Sequence, residues 1–201
     1  MAESESMRLE AIVLAAGAGR RFGGRKLLAP FEGRPLIAGA LDAAFAAPVR
    51  GVTVATDGDP ELTTVARDHA RTLEREGELR MVIVADAVEG LGASLRTAVA
   101  ALPADTEAAF VFLGDMPRIP REVSHALVRA LDGGCDLAAP RFGERRGHPV
   151  LFGRSYFAAL RTLTGDVGAQ RVLDKAGMRL ALVDSLDAGV LFDVDRREDL
   201  A

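Results

Sequence analysis

The chain has 201 residues, of which 49% are hydrophobic and 27% charged, with a formal net charge of −4. That is enough apolar material for a substantial core, and the balance of charge excludes a general attraction to nucleic acid. No apolar run reaches the roughly 18 residues of a membrane span. Residues 1–10 carry three glutamates and no apolar stretch, unlike a signal peptide. The single cysteine, Cys135, excludes an internal disulfide, and His69, His125 and His148 lie too far apart to suggest a zinc site. A cytoplasmic location is expected, with residues 1–8 as a short flexible tail and one domain spanning the chain.

Periodicity predicts strands and helices in alternation. A first strand over 10–15 breaks into a loop with Gly17, Gly19, Gly23 and Gly24 among Arg20, Arg21, Arg25 and Lys26. Glycine lets backbone N–H groups close on a ligand, and consecutive N–H groups form an anion-binding concavity. The four cations bring positive charge to the same place, so the loop suits a di- or triphosphate. Its Gly-x-Gly-x-x-x-Gly spacing, with Pro30 soon after and no helix following directly, is a weak match to a dinucleotide fingerprint.

Pro35 then marks the start of a helix ending near Pro48, followed by a strand over 52–56 and a helix running to about 73. A third strand over 80–85 and a helix over 93–102, with Ser94 near its start, lead to a near-continuous apolar strand at 108–113. Later come a helix from Pro120 to about 131, a strand at 136–140, a basic loop at 141–148 and a strand at 149–152. Helices at 155–163 and 167–176 and strands at 179–184 and 190–195 complete the chain. The alternation argues for an α/β fold with a doubly wound, mostly parallel sheet and ligands at the carboxyl ends of its strands.

Three further segments carry candidate chemistry. Asp115, in Leu113-Gly114-Asp115-Met116-Pro117, follows the fourth strand and either caps a turn or points a carboxylate into the crevice. Mg²⁺ bound to phosphates takes one or two such carboxylates. Arg145-Arg146-Gly147-His148-Pro149 is a compact cationic turn, solvated or ligand-facing. Asp193 and Asp195, one residue apart on a predicted strand, share a face, where water or a cation must offset their repulsion.

In these segments the sequence resembles the MobA-like nucleotidyltransferases, and within them the molybdenum-cofactor cytidylyltransferase branch. The resemblance rests on Leu14-Ala15-Ala16-Gly17-x-Gly19-x-Arg21-Phe22-Gly23 with Lys26, on Gly114-Asp115-Met116-Pro117 and on Gly147-His148-Pro149-Val150-Leu151-Phe152. Gly165-Asp166-x-Gly168-Ala169 and Asp193-Val194-Asp195 complete it. It implies a Rossmann-like, three-layer α/β/α nucleotidyltransferase fold, CTP as the nucleotide, Mg²⁺ as cofactor and a phosphorylated pterin as second substrate. A molybdenum hydroxylase would receive the finished cofactor. By the same resemblance Leu14, Ala15, Ala16, Gly17, Gly19, Arg20, Arg21, Lys26 and Ser94 bind the nucleotide, and Arg21, Lys26 and Asp115 are catalytic. Asp115, Asp193 and Asp195 hold the metal, while Gly147, His148, Pro149 and Asp166 face the pterin.

Two positions depart from the family pattern. Arg196-Arg197 stand where Thr-Pro is usual, and Gln170, then Arg171, where arginine is usual after Gly168-Ala169. A closely similar branch comprises NAD(P)H-dependent reductases of the pigment nicotine blue. In that alternative the glycine loop holds a dinucleotide pyrophosphate and Arg20 or Arg21 meets a 2′-phosphate. A noncatalytic nucleotide-binding protein or cofactor-insertion chaperone is a third reading.

Overall fold

The computed structural model describes residues 7–17, 19, 22–166 and 168–200. In chain order the elements are β1 (Leu9–Ala15), β2 (Pro30–Phe31), β3 (Arg34–Pro35), α1 (Ile37–Ala46), β4 (Val52–Thr56), α2 (Pro60–Thr72), β5 (Leu79–Ile83) and α3 (Leu91–Ala100). They continue as β6 (Ala108–Leu113), α4 (Arg121–Asp132), β7 (Leu137–Phe142), β8 (Arg145–Arg146), β9 (Val150–Gly153), α5 (Phe157–Leu160), α6 (Gln170–Ala176) and β10 (Leu180–Asp184).

The main sheet runs β10-β7-β9-β6-β1-β4-β5, with β8 folded back on β7. Pairing is parallel at β1–β4, β1–β6, β4–β5 and β7–β10, and antiparallel where β9 inserts between β6 and β7. The chain moves outward from β1 through β4 to β5, then returns to β6 on the other side of β1. That reversal opens a crevice at the carboxyl end of β1, where open α/β sheets bind ligands.

β1 is buried on both faces, and its alternation sorts the core into two layers. Ala11, Val13 and Ala15 pack with residues of α1, α2 and α4, whereas Ile12, Leu14 and Ala16 pack with those of α3 and α5. The doubly wound, three-layer arrangement expected from the sequence is the one observed. Met7 packs against the core, and the Arg8 N–H donates to the Glu107 carboxylate at 2.8 Å.

Three expectations give way. Pro35 belongs to a small hairpin, β2–β3, not to a helix: Glu32 (φ 50°) and Gly33 (φ 80°) form its two-residue turn, the left-handed conformation that two-residue hairpins favour. The helix expected at 155–163 shortens to the single turn α5, preceded by a 3₁₀ turn at Arg154–Tyr156. Residues 190–195 form no strand. Ala188–Leu191 is a 3₁₀ turn, and the backbone beyond it bonds to loops: His148 N–H donates to Val190 O at 2.9 Å and Val194 N–H to Asp115 O at 3.0 Å.

Helix α1 also bears on the site. A Cβ at Gly39 would lie 2.2 Å from the carbonyl oxygen of Pro117, so only glycine lets the helix pack against the segment that follows Asp115. Gly39→Ala must push the two apart. We expect a stability loss of about 1–3 kcal/mol in denaturant titration, with a fall in nucleotide affinity because the Asp115 segment moves.

Candidate active site

A cleft of about 530 Å³ opens at the carboxyl ends of the central strands, within the range of small-molecule sites. Its lining comes from the end of β1 and the glycine loop (Leu14, Ala16, Gly17, Gly19, Lys26), from Leu113, Asp115 and Asp195, from the wall around the start of α3 (Ala87, Val88, Gly90, Leu91, Ser94), and from Asp57 and Asp166. Ala15, expected among the nucleotide contacts, turns into the core beneath, 4% exposed.

The glycine loop is wound around one carbonyl. Gly19 O accepts from the N–H groups of Phe22, Gly23 and Gly24 at 3.0–3.1 Å. Gly19, at φ 53°, sits against Lys26, whose Cβ would be 3.2 Å from a Cβ placed there. The 3₁₀ turn Lys26–Leu28 then fixes the lysine backbone and aims its side chain into the cleft. Arg25 does not follow it: its guanidinium bonds to Asp59 and Glu61 at the start of α2, with Arg25–Asp59 contacts of 3.1–3.3 Å. Arg20 and Arg21 lie outside the described residues.

Lys26 Nζ donates to the Asp115 carboxylate at 2.6 Å and to Asp195 at 3.4 Å. These three side chains come from positions separated by 89 and 169 residues of sequence. Gly114 sets the first: its N–H donates to Leu14 O at 2.9 Å, locking the end of β6 to the end of β1. The second is set by a turn. The Asp199 carboxylate accepts from the N–H groups of Asp195 and Arg196 at 2.9 and 2.7 Å, and these bonds hold the Asp199 pKa below its usual value. Asp193, next to them, is pushed the other way by partial burial and by the carboxylates of Asp115 and Asp195. Among the described residues, no group of three or more His, Cys, Asp or Glu is arranged to hold a metal ion. The donors present are hard carboxylate oxygens, and one or two of these beside a phosphate suit Mg²⁺ or Mn²⁺.

The segment 147–149, expected to face the second substrate, is not part of the lining of the cleft. Gly147 is required there, because a Cβ would fall 2.3 Å from Val190 O. The His148–Pro149 peptide is cis, and the ring bonds to the Val111 backbone while Nδ1, sealed from solvent, has no partner among the described residues. Burial holds the imidazole pKa below 6.5, partly opposed by the Val111 bond and by Asp115. As pH falls through the unfolded value of about 6.5, the unfolded chain gains a proton that the folded one refuses, so stability is lost from there downward. Thermal melts between pH 7.5 and 5.5 are expected to fall less steeply for His148→Gln than for the unaltered protein.

Asp166, expected near the second substrate, forms part of the same cleft. Its carboxylate lies against Gly90, where a Cβ would come within 1.9 Å of it, and Gly92 N–H donates to Gly165 O at 2.9 Å. The wall at 87–91 was not foreseen from the sequence. Its one signal is Val88-Glu89-Gly90-Leu91-Gly92 leading into α3, in which Val88 is an exposed apolar side chain, 86% accessible.

A family model for the MobA-like NTP transferase domain matches residues 11–181. The chain belongs to that family. Purine catabolism protein PucB of Bacillus subtilis is 27% identical, with 94% of this chain and 92% of that protein aligned. A probable molybdenum cofactor guanylyltransferase of Thermococcus gammatolerans is also 27% identical, over 94% and 95%. Bifunctional protein GlmU of Alkalilimnicola ehrlichii is 32% identical over 70% of this chain, which spans only 29% of that longer protein. Among solved structures, a homologue of Rv0371c from Mycobacterium sp. strain JC1 superposes with a TM-score of 0.78 at 29% identity, over 96% and 92% of the two chains. The manganese complex of Rv0371c from Mycobacterium tuberculosis gives 0.69 at 21%, over 89% and 88%.

Both departures from the family pattern have a structural account. Arg197 lays its guanidinium 5.0 Å from the Phe22 ring, joining the C-terminal turn to the glycine loop, while Asp199 caps that turn. Gln170 receives Arg146 at 2.8 Å and donates to Asp174 at 2.9 Å, so a guanidinium still stands beside the 147–149 segment.

Proposed function

We propose that this chain transfers the CMP group of CTP to the phosphate of a molybdopterin-type pterin, releasing pyrophosphate. The observation that carries this is Lys26 held between Asp115 and Asp195 beside the glycine loop. Asp57, Asp115, Asp166 and Asp195 line the cleft, and a triphosphate enters so acidic a place only with added positive charge. Asp115 and Asp195 would hold Mg²⁺, which supplies Lewis-acid polarisation and neutralises developing charge, and Asp193, outside the cleft lining, would not be a ligand.

Gly17, Gly19, Lys26, Arg20 and Arg21 would bind the β- and γ-phosphates. Val88 and Leu91 offer apolar surface to a base or pterin, and Ser94 and Asp166 would fix orientation, while the buried segment 147–149 would act only as support. A pterin phosphate oxygen attacks the α-phosphorus in line, and the bond to the β-phosphate oxygen breaks. The attacking oxygen is already an anion, so no general base is required. Positioning and charge neutralisation supply the rate.

The dinucleotide alternative has less support. Its fingerprint needs the glycine loop to open directly into a helix, whereas here a 3₁₀ turn and the β2–β3 hairpin intervene before α1. Calorimetry with CTP, GTP and NADPH, with and without Mg²⁺, tests the proposal. Mg²⁺-dependent CTP binding, followed by pyrophosphate release with the pterin, is the expected result. Preference for GTP would change the nucleotide and keep the transferase. Tight NADPH binding indifferent to Mg²⁺ would overturn it.

A further inference from the structure

We infer that Lys26 is an exchangeable internal counter-ion: its ammonium holds the carboxylates of Asp115 and Asp195 until a polyphosphate draws it away, and only then is the divalent cation admitted. This rests on the transferase reading above and concerns the order in which that site fills.

The argument is steric and electrostatic. The Lys26 side chain is 12% exposed and its Nζ stands 2.6 Å from Asp115 and 3.4 Å from Asp195. The ammonium holds one oxygen of each carboxylate, and a divalent ion bound between the same two side chains would meet it at close range in a partly desolvated place, where repulsion is strong. The two cations are therefore alternatives at the Asp115 carboxylate.

Lysine suits the exchange. It is a point charge with three donors on a flexible four-carbon stem, unlike the planar fork of arginine. Its backbone is fixed by the Lys26–Leu28 turn directly beneath Gly19, so the tip swings from the carboxylates toward the loop that would cradle phosphates without moving the chain. The arrangement makes metal and polyphosphate binding mutually dependent, and the coupling is reciprocal by linkage.

The test is Mn²⁺ binding, read from the free-ion electron paramagnetic resonance signal and from calorimetry, with and without inorganic pyrophosphate or CTP. The unaltered protein is expected to bind Mn²⁺ weakly alone and at least tenfold more tightly once pyrophosphate is present. Lys26→Met is expected to bind Mn²⁺ alone at least tenfold more tightly than the unaltered protein, and to gain less from pyrophosphate. Lys26→Arg, which keeps the charge, stays weak. Arg25→Met removes the neighbouring charge, which is held by Asp59 and Glu61 away from the cleft, and should stay within twofold, which separates exchange at the carboxylates from the general field. Circular dichroism establishes that each variant is folded. If Lys26→Met and the unaltered protein bind Mn²⁺ within twofold of each other in the absence of anion, while CTP still binds with the metal, the exchange is wrong and the transferase reading stands. If neither binds Mn²⁺ with or without CTP, both fall.

Discussion

Replacing Asp115 with asparagine lowers the rate of nucleotidyl transfer by on the order of 10²–10³, about 3–4 kcal/mol of transition-state stabilisation. The substitution keeps the shape of the side chain and removes its charge. Asp115 is placed by the Gly114–Leu14 bond at the junction of β6 and β1, and its own carbonyl accepts from Val194, so the backbone has little reason to move. What is lost is the charged oxygen that holds Lys26 and that, under the proposed function, would hold the ion. A distinctive split should follow. Metal-free nucleotide binding changes little or tightens, because one negative charge near the triphosphate has gone. The Mg²⁺ concentration needed for half-maximal rate rises. Steady-state pyrophosphate release over a Mg²⁺ titration, beside calorimetry without metal, measures both. An equal loss of nucleotide affinity with and without Mg²⁺ would instead mean that the loop had collapsed.

The same geometry explains how far the sequence could be read. The strands β1, β4 and β6 were legible because each is a short apolar run buried on both faces, as expected at the centre of a parallel sheet. The segment 190–195 misled for a related reason. Val190 and Val194 are fully buried while Asp193 and Asp195 flank Val194, so the alternation was genuine, but alternation reports a buried face and not a paired backbone. The β2–β3 hairpin was hidden because its two-residue strands both contain proline, which reads more readily as punctuation than as pairing.

At the site, the glycine loop, Asp115 and the terminal aspartates stand at element ends, and end positions are visible in a sequence. Which cation serves which anion is not. Arg25 and Lys26 are neighbours, yet Arg25 turns to Asp59 and Glu61 while Lys26 enters the cleft. Only the left-handed backbone at Arg25, φ 48°, separates their directions. The wall at 87–91 left little trace, since the residues that line the cleft there, Ala87, Val88, Gly90 and Leu91, carry no polar side chain.

The largest expected effect on stability lies away from the cleft, at Glu10. This glutamate sits in β1 at 1% exposure, and its carboxylate accepts from Arg50 at 3.1 Å and from Arg80. Arg50 also reaches Asp105 at 2.7 Å, tying β1 to the turn before β6. Gly51 leaves the room for Arg80 to lie across the strand ends, since a Cβ there would be 2.8 Å from its guanidinium nitrogens. The two cations are about 40% exposed and the anion is sealed, which makes the arrangement asymmetric. Taking away Glu10 frees two guanidinium groups that water can reach. Taking away both arginines strands a carboxylate that water cannot reach. Arg50→Met with Arg80→Met is therefore expected to cost about 3–5 kcal/mol, lowering the melting temperature by roughly 10 °C for a chain of this size. Glu10→Leu, similar in volume and apolar, should cost far less, and adding it to the arginine double variant should restore most of the loss. A chemical-denaturation cycle over the four proteins measures this directly. If Glu10→Leu alone proves as costly as the arginine pair, the carboxylate is a net source of stability and the desolvation argument fails.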